Sequence, residues 1–309
     1  MSVSNRELFV KTWTRVVIRD HLRKLSNYRM VVDGPAAAGK GTLGRRYSEE
    51  GAIHLSFGLW ARTLTYLWLE CWSEHDGRQT EQAFEQFADS LATAIVTIGA
   101  KDLVTVWYLG RVFSLTQVEL RSQAVTESVP LVAGNPHCIA YIEDKMEEDF
   151  FYEDKPIFLE GRDMWRLAAA LRPTNPQILV TALYLAVSDH EAARRAVVRA
   201  HPGTSEITDQ QIGSALREVQ QRNEKDYTRV HGTLLRVDEA VASGNYDAVL
   251  QTNHMNAHEV FLYSMLIQSR QVGADWSIRV IEKILNYWID NPVMNGHKNH
   301  RSVPTRLSQ

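Results

Sequence analysis

The residues best suited to do chemistry lie in the stretch from Asp33 to Thr42, which reads DGPAAAGKGT. Glycines at positions 34, 39 and 41 allow successive backbone N–H groups to face one anion, and Lys40 adds a positive charge beside them. The spacing departs from G-x-x-x-x-G-K-[ST], because Gly41 occupies the Ser/Thr position and Thr42 follows it. The stretch therefore predicts a loop that binds the phosphates of a nucleotide.

A second charged group, EGRDM at residues 160–164, directly follows an apolar run. Open α/β sheets bind ligands at the carboxyl ends of their strands, so these charges are expected at a binding edge. Arg162 could hold a phosphoryl group, and Asp163 could position that group or contact its acceptor. The alternative is a salt bridge within a loop.

A third group is RNEKDYTR at residues 222–229. On a helix, Arg222, Asp226 and Arg229 have the spacing i, i+4 and i+7 and share one face. Phosphoryl transfer needs fixed positive charge around the phosphoryl oxygens, and two arginines on one helix face can supply it. A solvated ladder of ion pairs is the alternative.

The elements around these groups predict an α/β fold. Helical segments separate short apolar runs, an order that favours a parallel sheet covered by helices on both faces. The runs that predict strands lie at residues 28–32, 51–58, 155–161, 177–187 and 246–251.

Several local patterns predict further elements. Residues 59–72 predict a helix whose inward side chains are Trp60, Leu64, Leu67 and Trp68. Residues 76–100 predict acidic, amphipathic helical structure, and residues 103–112 predict a β-hairpin. Ser188 and Glu191 predict a capping box, and a helix is expected to begin near Thr208.

Five motifs together resemble those of bacterial cytidylate kinases in order and approximate spacing. They are DGPAAAGKGT, Gly58 with Arg62, LRSQAVTESVPLVAGNP, EGRDM and RNEKDYTR, within residues 29–271. The resemblance implies a P-loop nucleoside monophosphate kinase fold, with an acceptor-binding insertion at about 59–150 and a lid at about 194–222. It also implies ATP with Mg²⁺ as donor and a small nucleotide as acceptor.

Two segments lie outside the resemblance. Residues 1–28 predict a helical extension packed on the core, with a membrane-surface or partner helix as the alternative. Residues 272–309 predict a C-terminal extension that is helical and then flexible.

The resemblance also assigns roles to individual residues. Arg62, Arg162 and Arg229 would hold the phosphate of the acceptor, Arg222 and Asp226 its sugar, and Asp163 would lie near its base. Lys40, Arg162, Asp163 and Arg229 form the expected catalytic set, and Thr42 is a candidate Mg²⁺ ligand. The expected donor-site residues are Gly34, Ala38, Gly39, Lys40, Gly41 and Thr42.

The acceptor pocket departs from the family pattern. Phe57 replaces a small hydroxyl residue, Pro130 a serine, Ile139 a base-reading arginine and Ala61 a tyrosine, while Trp165-Arg166 replaces Gly-Thr. A site that has lost polar partners discriminates against its former ligand. The expected acceptor is a pyrimidine or modified-pyrimidine (deoxy)nucleotide in preference to plain CMP, with Phe57, Trp60, Ile139 and Trp165 as candidate pocket-lining residues.

Two alternatives stay open from the sequence. One is a P-loop kinase of another acceptor, either a metabolite or a base within DNA. The other is a nucleotide-binding regulatory protein that has lost transfer activity. Intact Lys40 and the four arginines at 62, 162, 222 and 229 weigh against the second alternative.

Composition limits the remaining function classes. The 309 residues carry a formal net charge of −3, which disfavours nucleic-acid binding through bulk charge. Two cysteines are too few for a disulfide framework. No signal peptide or membrane-spanning run is recognised, so a cytoplasmic protein without a membrane partner is expected. Composition leaves the oligomeric state open.

Overall fold

The computed structural model describes residues 27–72, 81–98, 103–152, 155–201, 203, 207–228, 232–271, 273, 278–279, 281–283 and 285–286. The chain divides into two compact units. Unit 1 comprises Met1–Leu55 and Glu153–Gln309, and unit 2 comprises Ser56–Tyr152. Almost all of the predicted N-terminal extension, most of the C-terminal one and Arg229 lie outside the described residues.

Unit 1 contains a sheet of five strands in the order β2-β6-β1-β7-β8. Strand β1 pairs in parallel with β6 and β7, and β7 pairs in parallel with β8. This sheet, flanked by helices, confirms the predicted α/β class. The strands are β1 (Tyr28–Asp33), β2 (Ile53–Ser56), β6 (Ile157–Glu160), β7 (Leu179–Ala186) and β8 (Ala248–Gln251).

The central strands are buried because their sequences are apolar on both faces. Strand β7 reads LVTALYLA and is buried at every position after the first, as expected for a parallel strand covered on two sides. The helices of unit 1 are α1 (Lys40–Glu49), α7 (Trp165–Thr174), α8 (Asp189–Ala200), α9 (Asp209–Tyr227), α10 (Val237–Ser243) and α11 (Ala257–Gln271).

Aromatic packing joins α1 to the sheet and to α11. The ring of Tyr47 lies 5.2 Å from that of Phe158 and 5.0 Å from that of Phe261. Ile281 and Leu285, within the predicted C-terminal extension, are buried in the same core cluster. That part of the extension therefore contributes to the core of unit 1.

Polar caps set the starts of two helices. Thr208 forms a complete capping box with Gln211 at the start of α9. Ser188 accepts a hydrogen bond from the Glu191 backbone N–H, 3.3 Å away, at the start of α8. The Glu191 carboxylate binds Arg194 and Arg195. Of the two hydrogen bonds of the predicted capping box, only the one that Ser188 accepts is therefore formed.

Unit 2 combines helices with a three-stranded antiparallel sheet of order β3-β4-β5. The ring of Trp68 stacks on Phe84 at 4.1 Å and meets Phe87 edge-on at 5.3 Å, so the unit has a core of its own. Its elements are α2 (Phe57–Cys71), α3 (Glu81–Ser90), β3 (Ile95–Ile98), β4 (Val104–Tyr108), β5 (Arg111–Leu115), α4 (Gln117–Leu120), α5 (Gln123–Val132) and α6 (Pro136–Tyr152).

Two sequence expectations for unit 2 have opposite outcomes. The inward residues of α2 that were predicted, Trp60, Leu64, Leu67 and Trp68, are all buried. The helical prediction for residues 76–100 is wrong at Ile95–Ile98, which forms a strand. Those four residues are all β-branched and fit a pleated strand better than a helix.

Within the described part of the chain, no helix is both long and apolar enough to cross a membrane.

Candidate active site

The loop between β1 and α1 is shaped by positive φ angles at Gly34 (143°), Ala37 (56°) and Gly39 (103°). A Cβ atom on Gly34 would lie 2.3 Å from the backbone oxygen of Leu185, so this close approach to β7 requires glycine. Gly39 is the N-cap of α1 and offers no side-chain cap. The first-turn N–H groups of α1 can therefore bind an anion.

Lys40 is a positively charged residue that contacts this loop. Its ammonium donates to the backbone oxygens of Gly34 and Pro35, the latter at 2.9 Å. Burial lowers the pKa of Lys40 to about 8, and repulsion from Arg162 and Arg222 acts in the same direction, against an opposing effect of Glu160. Three cationic side chains are thus close enough to interact, an arrangement suited to a polyphosphate.

The lowered pKa of Lys40 predicts pH-dependent nucleotide binding. A bound phosphate favours the charged form of Lys40. Nucleotide binding should therefore take up a proton once the pH exceeds about 8, the pKa of Lys40 in the protein without nucleotide. We expect ATP affinity to be flat below that pH and to fall by up to about tenfold per unit above it. Calorimetry from pH 7 to 9.5, in buffers of different ionisation enthalpy, measures both effects.

Lys40→Arg is the matched control for this titration, because guanidinium stays charged throughout the range. Its ATP affinity should lack the decline above pH 8. Equal declines in the two proteins, or proton uptake that is absent from the wild type, would contradict the role given to Lys40.

Arg162 and Asp226 form an ion pair between the segment after β6 and helix α9. The guanidinium Nη2 lies 2.5 Å from Asp226 Oδ2, and the Asp226 side chain is only 1% exposed. Residue 163, between Arg162 and α7, has a φ of 65°, and its carboxylate lies 2.7 Å from Arg166 Nε. Two of the predicted acceptor-site residues are therefore in direct contact.

Asp33 organises the start of α7 and was absent from the sequence-based site. Its buried carboxylate accepts hydrogen bonds from the backbone N–H groups of Met164 and Trp165 and from the Tyr246 hydroxyl, each at 3.0 Å. Burial raises the pKa of the Asp33 carboxyl, and these hydrogen bonds oppose the rise. The only sequence signal for Asp33 was its place directly before Gly34.

Asn223 and Arg195 connect the helices after β7 to the loop and were also missed. The Asn223 side chain accepts a hydrogen bond from the Ala36 N–H at 3.0 Å and donates one to Asp189 at 2.9 Å. Arg195 donates to the backbone oxygen of Ala38 at 3.4 Å. Helices α8 and α9 therefore hold the loop through polar side chains.

The residues beside the loop fit a magnesium nucleotide. A Cβ atom on Gly41 would lie 3.2 Å from Glu160 Oε1, which places a carboxylate at the start of α1, and His54 Nε2 lies 3.4 Å from that oxygen. Thr42 adds a hydroxyl on the same helix turn, 3.5 Å from Arg45. The described residues contain no cluster of three or more acidic, His or Cys ligands. This donor set suits Mg²⁺ bound mainly through phosphate and water.

Other predicted site residues belong to unit 2 or lie outside the described residues. Arg62 donates to the backbone oxygen of Leu120 at 3.0 Å and to Thr126 Oγ1 at 3.1 Å, within unit 2. Phe57 is the first residue of α2 and is partly buried. Trp60 is buried, with its ring edge-on to Tyr141 at 6.4 Å. Arg229 is outside the described residues, so its role stays a prediction.

A parallel sheet, a glycine loop that leads into a helix N-terminus and a lysine over that loop define a P-loop nucleotide-binding protein. Residues 30–261 match the family model described as cytidylate kinase. The chain belongs to the cytidylate kinase family, which confirms the resemblance seen in its motifs. It is a phosphotransferase of the nucleoside monophosphate kinase type.

Curated relatives and a solved structure show how far the likeness extends. A cytidylate kinase of Listeria monocytogenes serotype 4b is 26% identical over 69% of this chain and 86% of that protein. Those of Azorhizobium caulinodans and Methylocella silvestris are 26% and 28% identical, over 79% and 77% of this chain and 99% and 92% of theirs. The structure of TT1252 from Thermus thermophilus covers 81% of this chain and 96% of its own, at 14% identity and a TM-score of 0.33, and supports no conclusion about function.

Proposed function

We propose that the protein transfers the γ-phosphoryl group of MgATP to the phosphate of a pyrimidine or modified-pyrimidine (deoxy)nucleoside monophosphate, and that plain CMP is not its best acceptor. The observation that carries this proposal is Lys40, whose ammonium donates to the Gly34 and Pro35 backbone oxygens of the phosphate-binding loop. Arg162 adds a second cation directly after β6, the strand that pairs with β1, and two such cations suit two phosphorylated substrates better than one. The cytidylate kinases among its relatives make a nucleoside monophosphate the natural acceptor class.

The proposed reaction is a direct displacement. An oxygen of the acceptor phosphate bonds to the γ-phosphorus of ATP, and the bond from that phosphorus to the β–γ bridging oxygen breaks, which releases ADP. The transition state spreads negative charge over the phosphoryl oxygens, so catalysis depends on positioning and charge neutralisation. The loop and Lys40 would hold the donor, Arg162 would neutralise the transferred group, Arg222 and Asp226 would hold the sugar of the acceptor, and Mg²⁺ would screen the donor phosphates.

The residues after Asp163 support a changed acceptor. Trp165-Arg166 stands in place of the family's Gly-Thr, and Arg166 Nε lies 2.7 Å from the Asp163 carboxylate. An acceptor that contacts Asp163 must therefore either displace Arg166 or bind to the ion pair as it stands. The substitutions at Phe57 and Ile139 remove further polar groups. Each base-edge group left unpaired costs about 1–3 kcal/mol, or roughly fivefold to more than a hundredfold in affinity.

An ATP-consumption screen tests the proposal. The panel contains ribo- and deoxynucleoside monophosphates of all bases and 5-substituted pyrimidine monophosphates, each with MgATP. We expect at least one pyrimidine nucleotide to exceed CMP in kcat/KM by about tenfold or more. If CMP is the best acceptor of the panel, the changed-pocket part fails. If no monophosphate stimulates ATP consumption, kinase activity on this class is refuted, and ATP-dependent labelling of DNA would then identify a different acceptor.

A further inference from the structure

The Asp33 carboxylate joins three separate segments of unit 1. Asp33 is fully buried at the end of β1, directly before the loop. One oxygen accepts from Met164 N–H, and the other accepts from Trp165 N–H and the Tyr246 hydroxyl, all at 3.0 Å. The three donors come from positions 131, 132 and 213 residues away. One carboxylate thus links the end of β1 to two segments that are distant from it in the sequence.

Two of these donors follow a strained turn. Asp163, just before Met164, has a φ of 65°, a conformation that is uncommon for a residue with a side chain. Met164 is the N-cap of α7 and provides no side-chain cap. Such a backbone conformation persists when the surroundings fix it, and here the Asp33 carboxylate binds the two N–H groups that follow it. Arg162 lies on the other side of the same turn.

Tyr246 supplies the third donor from a position packed against other side chains. It packs on a small buried cluster that contains Tyr184, with the two rings edge-on at 5.3 Å. Burial, with a further contribution from the Asp33 charge, raises the pKa of Tyr246, so its hydroxyl keeps the proton that it donates. The carboxylate is therefore held by a segment other than the turn as well.

We propose that Asp33 and Tyr246 are positioning residues for phosphoryl transfer, and that they hold the Arg162–Asp163 turn in the geometry in which Arg162 meets the acceptor phosphate. The inference rests on the proposed function, because that function gives Arg162 its role. Gly34 follows Asp33 directly, so the same residue also fixes the first position of the donor loop. The clamp, meaning Asp33 and Tyr246 together, links the donor loop to the acceptor turn.

Paired tyrosine variants test the clamp. Tyr246→Phe removes a hydroxyl that binds Asp33, and Tyr184→Phe removes a hydroxyl of the same cluster that binds the Leu235 backbone oxygen at 2.7 Å. Both should lower the melting temperature. We expect only Tyr246→Phe to reduce kcat/KM for the acceptor, by about tenfold, with the ATP dissociation constant changed less than about twofold. Equal acceptor kinetics in the two variants would overturn the proposal.

Asp33→Asn provides a second variant and a readout independent of activity. An amide offers one acceptor oxygen in place of two and puts an NH2 group at the other position, so one of the backbone N–H groups of Met164 and Trp165 loses its partner. Hydrogen exchange of a peptide that contains them should be at least about tenfold faster than in the wild type. Unchanged exchange refutes the clamp. If exchange is faster in Asp33→Asn but the wild type phosphorylates no monophosphate, the hydrogen bonds of the clamp are supported and the proposed function is refuted.

Discussion

Lys40→Met is expected to lower kcat/KM by at least about 100-fold while leaving the folded protein as stable as the wild type or more stable. The loss follows because one fixed donor to a developing phosphoryl charge contributes about 10²–10³ in rate. Stability should not fall, because burial disfavours the charged ammonium, as its pKa of about 8 shows. Methionine keeps the apolar stem and removes the charge.

Steady-state kinetics with ATP and the best acceptor of the screen, together with thermal unfolding, measure both effects. Lys145→Met is the matched control, since Lys145 is an exposed lysine paired with Glu148 at 2.8 Å in unit 2. Its kinetics should stay within about twofold of the wild type, as expected for an exposed ion pair. An active Lys40→Met enzyme would remove Lys40 from the catalytic set.

Arg162→Ala is expected to damage both stability and turnover. The Asp226 side chain, 1% exposed, would lose the Arg162 guanidinium, and removing one member of a buried ion pair costs about 3–5 kcal/mol. An arginine that neutralises transferring phosphoryl charge contributes about 10³–10⁵ in rate, so turnover should fall by at least about 10³-fold. Denaturant unfolding and initial-rate kinetics measure the two losses.

The double variant Arg162→Ala/Asp226→Asn separates these two effects. Removing the Asp226 charge should restore most of the stability, whereas turnover should remain low because no cation replaces Arg162. Arg172→Ala is the control, because Arg172 pairs with Asp247, whose side chain is 25% exposed, and should cost less stability and leave turnover within about twofold. Turnover restored along with stability would make Arg162 a structural residue.

Local sequence patterns predicted much of unit 1. The strand, loop and helix from Tyr28 to Glu49 follow from an apolar run, glycines and the residues after them. Sequence periodicity also identified the inward face of α2. In each case a pattern within one segment contains the information, because burial on one face and backbone freedom at glycine are local demands.

Local sequence patterns did not predict contacts between segments that are distant in the chain. The Asp33 network joins positions 131 to 213 residues apart, and no local spacing in the sequence encodes it. Asn223 lies within the RNEKDYTR motif but was given no role there, yet its side chain holds the loop at Ala36. Strand β3 is different, since the β-branched run at Ile95–Ile98 was a local signal, outweighed by the acidic pattern before it.

The place of unit 2 in the chain has a consequence for folding kinetics. Strands β2 and β6 are neighbours in the sheet although nearly all of unit 2 lies between them in the chain. Closing a flexible connection costs entropy that grows with its length, and pairs distant in sequence form slowly. A connection that folds first shortens the flexible chain to be closed, and unit 2 has its own core. We therefore expect β2 to join the sheet only after unit 2 has folded, so that the folding rate of the inserted unit limits completion of the sheet.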